Sequence, residues 1–252
     1  MIDIHSHILP GLDDGARTVE ESLQMLDLAA RSGTTDIVVT PHASTEFPFD
    51  DQRVRASFRD LCDKNHAAIN LHLGCDFHLN YENLTDALRN PDKYTINQGR
   101  YLMVELSDFG ATSNMWRGLK QLIDARITPI ITHPERILAF QSNLRDLQQW
   151  VRDGCFVQVT GQSFLGRFGP AAKLAAKRFM KSGLVHFVAS DAHDCSDRTP
   201  NLAPAYKYVA SRFGELRANA IFNENPSAVL WGDSIRPKAN FGVVSRFLAL
   251  WK

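Results

Sequence analysis

The feature that most limits what this chain can fold into is a regular alternation of short apolar segments with helical stretches. Strand-like segments fall at Ile2–Ile4, Asp36–Thr40, Leu71–Asp76, Tyr101–Leu106, Pro129–Thr132, Phe156–Thr160 and Val185–Ser190. The first helix is the best marked. Thr18 and Glu21 form a capping box, Val19, Leu23, Leu26 and Ala30 share one face, and Gly33 is the stop. Further helices are predicted over Gln52–His66, Asn114–Ala125, Asn143–Asp153, Ala171–Ser182 and Pro204–Phe213, with another ending before Asn223. Strands joined through helices by short connections pair in parallel, so an α/β chain with seven strands is expected to close into an irregular barrel. An open doubly wound sheet is the alternative. No linker, internal repeat or composition shift divides the 252 residues, so one domain over 1–252 is expected, its tail after Ser234 packing on the outside.

In a parallel α/β barrel the reacting groups come from the carboxyl ends of the strands. Six of the seven strands end in such a group: His5-Ser6-His7, His42, Asp76, Glu105, His133, and Asp191-Ala192-His193. Only Phe156–Thr160 lacks one. Side chains alternate along a strand, so His5 and His7 point to one side, and so do Asp191 and His193 if the extension persists. Glu105 closes the apolar run Tyr101–Val104, where an unpaired charge is costly and a cation would explain it. With Asp14 from the loop after the first strand, five imidazoles and four carboxylates exceed what one ion can hold, which implies two or three. Nitrogen and oxygen donors without thiolate favour Zn, Mn or Fe. Asp13 is read as a turn former. His66, His72 and His186 are read as surface or core residues, and His78 is left open. Arg136 and Arg198 would reach the metals if their loops turn inward.

Bulk properties exclude several classes. Twenty-eight basic residues balance 28 acidic ones, so no overall field recruits nucleic acid or an anionic membrane. Hydrophobic content of 44% supplies a core without an apolar stretch of membrane-spanning length. Met1 leads directly into the first strand, and Cys62, Cys75, Cys155 and Cys195 are scattered, so neither a signal peptide nor a disulfide framework is expected and a cytoplasmic protein is read.

The run from Asp3 to Gly15 (DIHSHILPGLDDG), Thr40-Pro41-His42, Thr132-His133-Pro134-Glu135-Arg136 and Ser190-Asp191-Ala192-His193 resemble the polymerase and histidinol phosphatase (PHP) superfamily nearly end to end. The opening resembles its bacterial manganese-dependent protein tyrosine phosphatases, encoded with capsule and exopolysaccharide genes. The resemblance implies a single PHP-type phosphoesterase domain, a distorted seven-stranded (β/α) barrel. It also implies three metal positions: His5, His7 and Asp191 on one, Glu105 and His133 on a second, Asp14, His42 and His193 on a third, with Asp76 bridging. Relatives usually carry Glu at that bridge, so the shorter Asp76 is a departure. Arginines matching Arg136 and Arg198 hold the phosphoryl group in the family, which suits their planar fork. The implied cofactor is Mn, with Fe or Zn as alternatives. The implied substrate is phosphotyrosine protein, the tail of a bacterial tyrosine kinase that controls polysaccharide synthesis.

The implied chemistry is direct attack of an ionised water on phosphorus. A phosphocysteine route needs an arginine six residues after the thiolate, and no cysteine here has one. Competing readings are a small-molecule phosphatase of histidinol-phosphate type, a metal-dependent amidohydrolase or nuclease, and a non-catalytic metal-stabilised module.

Overall fold

Strand β1 (Ile2–Ser6) starts the core and leads through a loop into α1 (Val19–Arg31). Thr18 caps α1 through its Oγ1, which accepts from Glu21 N, while Glu21 Oε2 reaches back to Arg17 N. The chain continues through β2 (Asp36–Val39), β3 (His42–Ala43), α2 (Asp51–Lys64), β4 (Asn70–Leu73), β5 (Asp76–His78), α3 (Tyr81–Arg89), β6 (Tyr101–Glu105), α4 (Thr112–Asp124) and β7 (Thr128–Thr132). It ends with α5 (Leu138–Ser142), α6 (Arg145–Arg152), β8 (Phe156–Thr160), α7 (Gly161–Leu165), α8 (Gly169–Lys181), β9 (Phe187–Ala189), α9 (Ala203–Phe213), α10 (Glu215–Asn219) and α11 (Asn225–Leu230). The computed structural model describes residues 1–107 and 112–235. The tail from residue 236, expected to pack on the outside, lies outside the described residues.

Every strand pair is parallel, in two sheets of order β1-β2-β4 and β3-β5-β6-β7-β8-β9. Among the described residues the expectation of seven strands is therefore corrected to nine segments. Leu71–Asp76 is divided at Gly74-Cys75, and a short strand at His42–Ala43 follows β2 after Thr40-Pro41. At the second break Pro41 supplies no N–H. At the first, a Cβ on Gly74 would come within 2.9 Å of Val38 Cγ1, so a close crossing requires glycine there. Hydrogen bonds bridge both breaks, from Gly74 N to Val39 O (3.0 Å) and from Asp76 N to Pro41 O (3.1 Å). On the other side, β1 meets the chain after β9 through Asp191 N to His5 O and His7 N to Ala192 O, each 2.8 Å.

The strands read as apolar runs because both faces are buried: Ile4, Val38, Met103, Ile130, Phe187 and Ala189 form one cluster, while Val104, Ile131, Val157 and Val188 pack with the helices. The stop expected near Asn223 is replaced by a π-turn over Ala220–Glu224 that carries α10 into α11. Among the described residues no helix is long and apolar enough to cross a membrane, and all four cysteines are free.

Candidate metal centre

The strand ends bring all nine predicted ligand residues together in four overlapping groups: His7, Asp14, His42 and His193; His5, His7 and Asp76; His5, His133 and Asp191; and His42, Asp76 and Glu105. Nε2 of His5 lies 3.2 Å from Nε2 of His7, and each lies 3.6 Å from Asp191 Oδ1. Asp14 Oδ1 is 3.4 Å from His42 Nε2 and 3.3 Å from His193 Nε2. His133 Nε2 is 3.7 Å from Glu105 Oε1. Asp76 Oδ2 is 3.4 Å from both His5 Nε2 and His42 Nδ1. Two ligands of one ion, each about 2.1 Å from it, lie roughly 3.0–3.5 Å apart at tetrahedral or octahedral angles. The spacings, 3.2–3.7 Å, lie within or about 0.2 Å beyond that range. His78, on β5, joins none of the groups. His66 is exposed, His72 bonds to Asp36 and Asn97, and the half-buried His186 accepts from Val157 N, as surface or satisfied core residues do.

Three imidazoles have their tautomers set by partners that can only accept. The backbone N–H of His133 donates to Gln158 Oε1 (3.3 Å), which fixes that atom as the amide oxygen. His5 Nδ1, 3.1 Å from the same oxygen, must then carry a proton, leaving the Nε2 lone pair facing inward. His7 Nδ1 donates to Asp13 Oδ2 (2.8 Å) and His193 Nδ1 to the Asp191 carbonyl (3.0 Å). Three Nε2 lone pairs thus converge with carboxylates on one space, the disposition a cation needs.

Two further observations fit that donor set. Asp76 Oδ2, fully buried, has no hydrogen-bond partner among the described residues, and neither has His42 Nδ1. Such orphans are costly without a cation. The electrostatics of the bare protein carry the same signature. Burial alone would lower His5, yet Asp76 and Asp191 carry it up to about 9. Burial, with His193 and His42 nearby, drops His7 to about 4. Burial would also lower His42, but its bond to Asp14 and the charge of Asp76 raise it to about 10. Burial and Asp76 push Glu105 up to about 8, while hydrogen bonds to His193 and His42 hold Asp14 below the usual carboxylate range. Protons here do, poorly, what divalent cations would do well.

The backbone is strained where it delivers two of these groups. His133 has φ 34° and Asp191 φ 52°, left-handed values that non-glycine residues adopt at a cost of about 1–3 kcal/mol each. After His133 a short 3₁₀ turn, Pro134–Arg136, swings Arg136 back toward the site. Arg136 Nη2 donates to Asp191 Oδ2 and to Thr160 Oγ1 (2.6 Å), and Arg198 Nη2 donates to the same Asp191 oxygen (2.7 Å). Both loops therefore turn inward.

Several supporting residues escaped the sequence reading. Gln158 fills the strand that seemed to lack a polar contribution. Asp13 shapes its turn by accepting from Gly15 N, as expected, and also orients His7 and accepts from His42 N (3.0 Å). The sequence reading made Asp13 a turn former and Asp14 a ligand; what it lacked is the pair of bonds that Asp13 accepts from His7 and His42. Glu135, fully buried, accepts from Thr160 N and Ser163 Oγ and so anchors the 3₁₀ turn to the end of β8. A cavity of about 510 Å³ lined by Arg55, Phe58, His72 and Lys93 includes none of the candidate ligands.

A family model described as "Capsular polysaccharide synthesis, CpsB/CapC" matches residues 1–231. Tyrosine-protein phosphatase CpsB of Streptococcus agalactiae serotype V is 31% identical over 239 residues, covering 91% of this chain and 98% of that protein. Tyrosine-protein phosphatase YwqE of Bacillus subtilis is 30% identical over 250 residues, covering 91% and 96%. A crystal structure from work on YwqE of Bacillus subtilis and CpsB of Streptococcus pneumoniae, described as unique metal-dependent tyrosine phosphatases, aligns with a TM-score of 0.86 at 29% identity. It covers 94% of this chain and 96% of the other.

Proposed function

This chain belongs to the CpsB/CapC family of capsular polysaccharide synthesis, and on that premise we propose that its strand-end centre is a metal-dependent phosphatase site that hydrolyses phosphotyrosine on protein. The observation that carries the reading is the double engagement of Asp191. Its Oδ1 lies with Nε2 of His5 and His7, while its Oδ2 accepts from Arg136 and Arg198. A metal-binding pole and an oxyanion-binding pole therefore adjoin across one carboxylate.

In this reading His5, His7, Asp14, His42, Asp76, Glu105, His133, Asp191 and His193 hold two or three divalent ions, Mn first among them. Bound ions supply Lewis acidity, lowering the pKa of water and offsetting charge on the phosphoryl group. Arg136 and Arg198 hold the phosphoryl oxygens through their planar forks. Tyrosinate leaves as the base of an acid of pKa about 10, so a dedicated general acid is less necessary than for an alkyl ester. The substrate is the tyrosine-rich tail of a bacterial kinase controlling capsule or exopolysaccharide synthesis, in the cytoplasm. We also read the two sheets as one distorted barrel within a single domain, a reading that the bonds between β1 and the chain after β9 support.

The test is hydrolysis of a phosphotyrosine peptide, and separately of histidinol phosphate, by chelator-treated protein with and without added Mn. Peptide hydrolysis that Mn restores, and that a His5→Ala, His7→Ala protein lacks, is expected. Preference for histidinol phosphate would overturn the substrate assignment, and full activity without metal would overturn the mechanism.

A further inference from the structure

Phe168 sits between α7 and α8, set off by Gly166 (φ 98°) and Gly169 (φ 85°), whose left-handed conformations suit glycine. Its ring meets both arginines of the site. The Arg136 guanidinium carbon lies 3.7 Å from the ring centroid and that of Arg198 5.9 Å, both within cation–π range. The same segment is tied to the loop that carries Arg198, through an Arg167–Asp197 ion pair (2.9 Å) and a hydrogen bond from Gln162 Nε2 to Asp197 O (3.0 Å).

The restraint matters because of what the arginines otherwise lack. Nε of Arg136 and Nε of Arg198 are buried without hydrogen-bond partners among the described residues. Each guanidinium is held at Nη2, where both meet Asp191 Oδ2 and Arg136 also donates to Thr160 Oγ1 (2.6 Å). The one bond of Arg198 leaves its plane free to rotate, the two of Arg136 spring from a single nitrogen at one edge of its plane, and bidentate capture of phosphate depends on both planes.

We propose that Phe168 is a positioning residue that registers the guanidinium planes of Arg136 and Arg198 against one ring, making them a single fork for the phosphoryl group. This rests on the reading of the two arginines as phosphoryl-holding residues. A fork fixed beforehand spares the ordering entropy that two free arginines would lose on binding.

The experiment compares metal-loaded wild type with Phe168→Leu and Phe168→Tyr. Binding of inorganic phosphate is followed by calorimetry, alongside KM and kcat on a phosphotyrosine peptide, metal content and Tm. Phe168→Leu is expected to weaken phosphate binding and raise KM by roughly fivefold to tenfold, the scale of a partly desolvated cation–π contact. Metal content and Tm should stay put, and Phe168→Tyr should restore both affinities. If the Leu variant fails to fold, Phe168→Met takes its place with the same readouts. Unchanged phosphate affinity, or loss of metal in step with loss of affinity, overturns the proposal, as does a wild type that binds no phosphate. A wild type that binds phosphate but does not cleave the peptide removes the tyrosine phosphatase reading and leaves the phosphate comparison intact.

Discussion

Replacing Gln158 by Leu should weaken divalent-metal binding by about 10- to 100-fold, the usual cost of losing the group that orients a ligating histidine. Gln158 Oε1 accepts from His5 Nδ1 at 3.1 Å and from His133 N at 3.3 Å, so its loss strands two buried donors on two candidate ligands. Each stranded donor costs about 1–3 kcal/mol. The substitution also removes Gln158 Nε2, a buried donor without a partner, which returns a similar amount. The net penalty is roughly one unsatisfied group, about 1–3 kcal/mol. With unfolding entropy near 2.1 cal/mol/K per residue over 252 residues, the Tm of metal-free protein should fall about 2–6 °C. Affinity is read by competition with a chromophoric chelator and stability by thermal denaturation. Gln158→Glu keeps an acceptor in place and should retain most of the metal affinity. If Gln158→Leu bound metal as tightly as wild type, the tautomer argument for His5 would be wrong.

A Cβ at Gly15 would lie 2.0 Å from His7 O and 2.5 Å from His7 Cβ, neither of which can yield, so Gly15→Ala should cost at least about 1–3 kcal/mol in urea denaturation and lower metal content. Burial, with Arg217 nearby, depresses folded His186 to about 4, so it contributes stability that is present above its unfolded value near 6.5 and lost as pH falls from there toward 4, about 3 kcal/mol in all. His186→Asn can still accept from Val157 N but does not titrate, so its stability curve should fall less steeply over that window; parallel curves would refute this. Chelation should lower Tm by about 5 °C for each site held at 100 times its Kd, since such a site contributes about 2.7 kcal/mol, and a Tm insensitive to chelator would deny the centre any bound ion in the purified protein.

What the sequence made legible was what announces itself locally. Glu105 interrupts an apolar run, His5 and His7 obey a two-residue period, and each lies where a strand stops, so residue type and position pointed to the same space. The supporting groups lack that double signal. Gln158 is an ordinary polar residue inside a strand, and its partner His5 is 153 residues away, so only the folded sheet brings the amide to the ring. Phe168 reads as one of 15 phenylalanines until two loops place guanidiniums on its face. The strand count failed for a related reason. Leu71–Asp76 is continuous in hydrophobicity, but Gly74 lets the chain cross Val38 at a distance no Cβ would tolerate, and there the strand changes sheets. That break also delivers the site, because Asp76 opens the new strand opposite His42, and their pairing in register sets the Asp76 carboxylate in two of the candidate ligand groups at once.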